Sequence, residues 1–253
     1  MRRWLHSSVR AGLHALVLVG LAPLAQAQAH IDDVNALRAA LTPANNFYSS
    51  TSPLVVWPED GTAFNRTVCT RFISETLRHS YDMTDDCLRA LTGAGKPNTG
   101  HYYNAIIAQR GGSCTLADGV TTATHSFTRV TNVSQIAVGD LVAILYLDAA
   151  EPDSGHTAWV IAVPTFVTTS GGENVYDLLV ADSSSSFHGY SDSRYVTPDS
   201  PGVPDQGVGS GAMRLYTDAS GEITGYRWSN RSSTTYRPDA RHLVVAHLVR
   251  TLP

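Results

Sequence analysis

The chain reads as one α+β domain of N-terminal helices packed on an antiparallel β-sheet. Three observations predict this. Apolar residues recur at helical spacing in four segments before Gly112. After Gly112 the chain changes to short β-branched or aromatic runs bounded by Gly, Pro, Asp and Ser. Helices followed by strands, rather than alternating with them, is the pattern of segregated layers.

Residues 1–27 have the layout of a secretory signal, with Arg2, Arg3 and Arg10 before a mostly apolar run from Ala11 to Ala25 that ends in small residues. His14 and Pro23 interrupt the run, which falls short of the ~20 apolar residues of a spanning helix. Removal is expected after Ala27 or Ala29, leaving a secreted or periplasmic protein with no membrane span. Residues 28–253 are then one domain, since about 225 residues suffice for one sizeable core. Loss of the three arginines leaves 15 of the 18 basic residues against 22 acidic ones, a formal charge of −7. Such a balance argues against nucleic acid as a partner.

The first helix is expected from Ile31 to Leu41, on the apolar positions Val34, Leu37 and Leu41. Cys69 opens the second, whose stripe is Phe72, Ile73 and Leu77. Thr84 caps a third that runs through Cys87, Leu88 and Leu91 to Gly93, and a fourth spans Tyr102 to Gln109. Strands are expected at 141–146, 157–163, 176–181, 213–216, 223–228 and 243–249. Ser183 to Gly211, with its serine run, several glycines, Pro198, Pro201 and Pro204, reads as a long loop. Within it, Gly207-Val208-Gly209-Ser210-Gly211 leads into a strand and not a helix, so a turn is expected there instead of a nucleotide loop.

The chemistry starts from three cysteines in an exported chain. At most one bridge can form, which leaves one thiol over. Cys69, in the first turn of a helix, sits at the positive end of the macrodipole, where a thiolate is favoured. It is the candidate nucleophile. A nucleophilic thiol needs a base and a group that orients the base. His156 follows Gly155 at the start of a strand, and a hairpin centred near Thr169 places it opposite Asp182. Opposed side chains on one face have Cβ atoms about 4.5–5.5 Å apart, within reach of a carboxylate–imidazole hydrogen bond.

Cys69-Thr70-Arg71-Phe72, Gly139-Asp140-Leu141-Val142 and Ser154-Gly155-His156-Thr157-Ala158-Trp159-Val160 resemble, in order and rough spacing, the NlpC-type cell-wall cysteine peptidases. Val68 and Thr70-Arg71 depart from the Asp and Ser-Gly that usually flank that family's cysteine. The resemblance implies a papain-like, NlpC-like fold, with Cys69 as nucleophile, His156 as base and Asp182 as orienting residue. It also implies a peptidoglycan stem peptide, or another peptide, as substrate.

Other uses of these residues stay open. Cys69 shares its stripe with Phe72 and Leu77, so a core role or a bridge to Cys87 or Cys114 competes with catalysis. With Cys69 free, the bridge is Cys87 with Cys114. His188, Asp192 and Arg194 are expected to line the substrate groove. A metal at His156, Asp182 and His188 is the rival use, but no His-Glu-x-x-His helix or paired Cys-x-x-Cys occurs, and neither metal nor cofactor is expected. The expected function is an exported cysteine hydrolase cleaving an amide bond. The alternative is a secreted binding module without turnover.

Overall fold

The computed structural model describes residues 29–52, 54–147, 149, 153–195, 206–239 and 241–252. The expected signal segment, Pro198, Pro201 and Pro204 lie outside the described residues.

The fold is α+β, with four α-helices that precede a nine-stranded antiparallel sheet among the described residues. Helix α1, Ala29–Ala40, buries His30, Ile31, Val34 and Leu37, one stripe at helical spacing. His30 donates from Nε2 to the Gly139 carbonyl at 3.0 Å, so its Nδ1 accepts the Tyr81 hydroxyl at 2.6 Å. Helix α2, Cys69–Tyr81, buries Phe72, Ile73, Leu77 and Tyr81 and ends at Asp82 in the left-handed conformation. Thr84 caps α3, Asp85–Thr92, by accepting the Cys87 amide at 3.3 Å, and Gly93 at φ 94° ends it. Helix α4 is Thr99–Ile107 with Asn98 as its cap, starting three residues earlier than its apolar pattern because Thr99 and Gly100 form a polar first turn.

A small sheet precedes α2. It comprises β1 (Asn46–Tyr48), β2 (Leu54–Val56) and β3 (Phe64–Thr67), in the order β1-β3-β2. The large sheet holds β4 (Gly111–Thr115), β5 (Thr122–Val130), β6 (Leu141–Tyr146), β7 (Gly155–Val160), β8 (Thr165–Ser170), β9 (Glu173–Ser184), β10 (Gly207–Thr217), β11 (Ile223–Arg227) and β12 (Arg241–Thr251). Its order is β11-β10-β9-β7-β6-β12-β5-β4, with β8 folded back on β9.

Alternation along the strands gives two cores. Leu141, Ala143, Trp159 and Ala181 face the helices, while Val142, Ile144, Ala158, Val160, Leu178 and Val180 pack on the other face with Met213, Leu215 and Tyr226. The second core closes because the sheet curls. Past β5, the Val133 amide donates to the Gly221 carbonyl at 2.9 Å and the Ile223 amide to Thr131 at 3.0 Å, so the chain after one strand meets the β11 end of the sheet.

The stretch expected to be a loop is shorter, because β9 runs to Ser184 and β10 starts at Gly207. The glycine run is strand, not turn. Gly207, Gly209 and Gly211 pair with Ser184, Asp182 and Val180. Strand interiors seldom favour glycine, and the reason for it here lies in what those positions face.

Candidate active site

Strands β7 and β9 pair only at Trp159↔Ala181 and Val160↔Val180 and then part. The hairpin expected around Thr169 is replaced by β8, which occupies the same edge of β9 as β7, and the true register sets Ala158, not His156, opposite Asp182. The shift is two residues. An even shift keeps the face, so His156 still reaches Asp182 along a diagonal. Gly155 is required just before it, since a Cβ there would fall on the Ile144 carbonyl and 2.7 Å from Thr99 Cγ2.

Cys69 occupies the space where β7 and β9 separate. It is the free cysteine, 5% exposed, and Cys87 is bridged to Cys114. The Ile161 amide bonds to the Leu179 carbonyl at 3.0 Å, so alternation makes Thr157↔Ser183 a hydrogen-bonded position of this ladder. There the Thr157 amide donates to the Cys69 sulfur, and Ser183 Oγ turns to the Thr67 carbonyl at 2.7 Å. The Thr157 hydroxyl, which has no oxygen or nitrogen partner, lies beside the same sulfur.

The start of α2 is held by the small sheet. Thr67 Oγ1 donates to Asn65 Oδ1 at 2.7 Å, Asn65 Nδ2 to Asn46 Oδ1 at 2.8 Å, and Asn46 Nδ2 to the Val208 carbonyl of β10 at 2.8 Å. Val68 supplies no side-chain cap, so the first-turn amides of α2 are left for an incoming oxygen.

His156 hydrogen-bonds Cys69 and, through Nε2, Asp182 Oδ2 at 2.5 Å, which leaves Nδ1 to serve the sulfur. Burial pushes the Cys69 thiol up, but the adjacent His156 charge, its hydrogen bond and Thr157 together bring it below the ordinary thiol range. Burial pulls His156 down; the Cys69 charge and the hydrogen bond and charge of Asp182 outweigh this and raise it to about 9. The two directions describe one thiolate–imidazolium pair.

Asp182 is fully buried and multiply paired. Burial alone would raise its carboxyl, and Arg194, His188 and His156 hold it well below the usual range. The His188 Nε2 also lies on Oδ2, at 2.9 Å, and its Nδ1 bonds the Trp228 carbonyl at 2.7 Å. Arg194 pairs with Asp182 Oδ1 and Asp192 Oδ2, both at 2.8 Å. The expectation that His188, Asp192 and Arg194 line a groove is therefore corrected. They are 0%, 4% and 2% exposed and form a buried ion network behind the base. The glycines of β10 make room for it: a Cβ at Gly209 would lie 2.6 Å from Arg194 Nε, and one at Gly211 2.6 Å from Asp192 Oδ2.

His156, Asp182 and His188 bring three metal-ligand atoms together. Asp182 Oδ2 already stands 2.5 and 2.9 Å from the two Nε2 atoms, whereas an ion among them at about 2.0–2.2 Å would have to push the donors apart. Arg194 also holds a fixed positive charge against the same carboxylate. The geometry suits hydrogen bonding rather than ligation.

In front of His156 an open cleft of 410 Å³ is lined by Tyr48, Tyr146, Tyr226, Tyr236, Trp228, Arg241, Gly155 and four serines. Trp228 stands edge-on to His156, with ring centroids 4.7 Å apart, on the same cleft wall. Burial, then Cys69 and Asp182, push the Tyr48 phenol up to about 12, so it stays a neutral hydroxyl donor on the cleft wall. Asp140 of the Gly-Asp-Leu-Val segment lies elsewhere: it accepts the Ala137 amide at 2.8 Å and pairs with His247 at 2.6 Å. Sequence reasoning missed the cleft aromatics. Tyr146 ends β6 and Trp228 follows β11, positions that strand alternation alone assigns to no site.

No family model and no solved structure matches the chain. It is similar to an uncharacterized protein, R653, of Acanthamoeba polyphaga mimivirus, 27% identical over 216 residues that cover 78% of this chain and 85% of that one. No helix among the described residues is long and apolar enough to cross a membrane.

Proposed function

We propose that the chain is an exported cysteine hydrolase of papain-like, NlpC-like architecture that cleaves an amide bond, with peptidoglycan stem peptides as its substrate class. One observation carries this reading: a free thiol at a helix N-terminus is hydrogen-bonded to a buried histidine whose far nitrogen lies 2.5 Å from a buried carboxylate. The substrate class rests on the motif resemblance alone.

The Cys69 thiolate attacks the amide carbon, and the oxygen that becomes negative is met by the uncapped amides of α2 and the Tyr48 hydroxyl. The His156 imidazolium gives its proton to the leaving amine. Neutral His156 then takes a proton from water, which attacks the thioester and releases acid and thiolate. Asp182 keeps the ring oriented through both transfers and stays ionised.

The test is alkylation and turnover on the secreted protein. Iodoacetamide is expected to modify Cys69 at pH 6 faster than it modifies glutathione, and Cys69→Ala and His156→Ala to abolish release of amines from peptidoglycan fragments. A slow thiol points to the binding module without turnover. Fast alkylation with intact peptidoglycan keeps the hydrolase and rejects the substrate class.

A further inference from the structure

His188 stands between two acceptors. Its Nε2 lies 2.9 Å from Asp182 Oδ2 and its Nδ1 2.7 Å from the Trp228 carbonyl oxygen, in a site closed to solvent. A peptide carbonyl has no proton to give, and Asp182 stays ionised under Arg194, His188 and His156. A neutral imidazole donates from one nitrogen only, so the other would set its lone pair against an acceptor. The doubly protonated ring satisfies both contacts, and both distances fall in the charge-assisted range. The Trp228 ring, with centroids 4.2 Å apart, offers the same imidazole an aromatic face that favours a cation.

The charged groups around His188 come from several elements. Asp182 is on β9, and on the segment of His188 itself are Asp192, whose Oδ2 accepts the His188 amide at 2.7 Å, and Arg194. Strand β7 brings His156, whose ring centroid is 6.4 Å away and which bonds Cys69 beyond. Strand β10 presents Gly211, where a Cβ would lie 2.7 Å from that of His188. From α1, Arg38 feels the charges of Arg194, Asp192 and Asp182 while its Nη2 bonds Ser210 Oγ. Two fully buried carboxylates against Arg194 leave one negative charge behind the base, and a cation at His188 cancels it.

We propose that His188 is an imidazolium and a positioning residue: it shares Asp182 Oδ2 with His156 and limits how strongly that carboxylate holds His156 protonated, so that His156 Nδ1 can give its proton to the leaving amine. The charge of His188 stands on its own contacts, whereas its effect on proton transfer rests on the thiolate–imidazolium reading above.

Two measurements test the two halves. NMR of the histidine ring nitrogens in the wild-type protein, at about pH 7, is expected to show hydrogen on both nitrogens of His188; a single protonated nitrogen overturns the proposal. His188→Gln keeps a donor toward Asp182 and His188→Asn one toward the Trp228 carbonyl, and both remove the charge. Either should move the acid and alkaline limbs of the Cys69 iodoacetamide profile to higher pH together, by about 1–2 in pH for one charge at an effective dielectric of ~20. Slower labelling or a lower urea midpoint with both limbs unmoved is what a merely structural role gives, and overturns the positioning role. Should neither variant fold, the wild-type nitrogen pattern decides alone. Wild-type labelling no faster than that of glutathione overturns the thiolate reading and the positioning role with it; fast labelling with one protonated nitrogen on His188 overturns this proposal only.

Discussion

Gly209 faces Asp182 directly across the β9–β10 ladder, and the volume its missing side chain leaves is filled by Arg194, the cation paired with that aspartate. A glycine in a buried strand is thus what lets a buried carboxylate and its counter-ion share one sheet face.

Adding a methyl group there overpacks a buried ion network. Gly209→Ala and Gly211→Ala are each expected to cost about 1–3 kcal/mol in urea unfolding and to lower kcat. Gly171→Ala, in the β8–β9 turn at φ 63° with open space around it, serves as control and should lose only about 1 kcal/mol with kcat retained.

Arg194→Met separates a bracing role from groove lining. Removing the cation leaves Asp182 and Asp192 buried without their partner, expected to cost about 3–5 kcal/mol by urea titration. Because Arg194 does not border the cleft, kcat should fall while KM stays near wild type. A selective rise in KM would place Arg194 on the substrate instead.

The raised His156 value sets an alkaline limit. Its folded value, about 9, lies above the ordinary 6.5, so the stabilisation from its charge is complete below 6.5 and lost as pH rises through 9. The acid needed for amine departure is lost over the same range, so kcat/KM should fall with a limb near pH 9. Asp182→Asn removes two contributions that raise His156, and should move that limb to lower pH and reduce kcat by about 10–100-fold.

Much of this site can be read from the chain without coordinates, and the reasons are specific. Cys69 is legible because an odd thiol heads an amphipathic helix, and His156 with Asp182 because β periodicity is two, so a register misplaced by two residues still puts them on one face. The buried network was not legible. His188, Asp192 and Arg194 sit in a polar, serine-rich segment where exposure is the ordinary expectation, and only their mutual pairing makes burial tolerable. The strand expected at 213–216 is the second half of β10, and its first half reads as turn for a related reason: its glycines answer to those side chains and not to strand propensity. The exposed, threonine-rich β8 carries no alternation to detect.

Reducing the Cys87–Cys114 bridge should separate stability from chemistry. It spans 27 residues between α3 and β4, and loop-closure entropy gives it about 3.5 kcal/mol. A phosphine reductant is expected to lower the urea midpoint accordingly while alkylation of Cys69 at 25 °C proceeds at the same rate. Loss of alkylation in parallel with stability would show that α3 governs the seat of the nucleophile.

Where β7 and β9 part, one peptide N–H that a longer ladder would have spent on a neighbouring carbonyl is given to sulfur. The Thr157 proton is for that reason a natural reporter of the charge on the Cys69 sulfur. Its NMR resonance is expected far downfield while the sulfur is anionic and upfield once Cys69 is alkylated, so the state of the thiol can be followed from a single backbone signal.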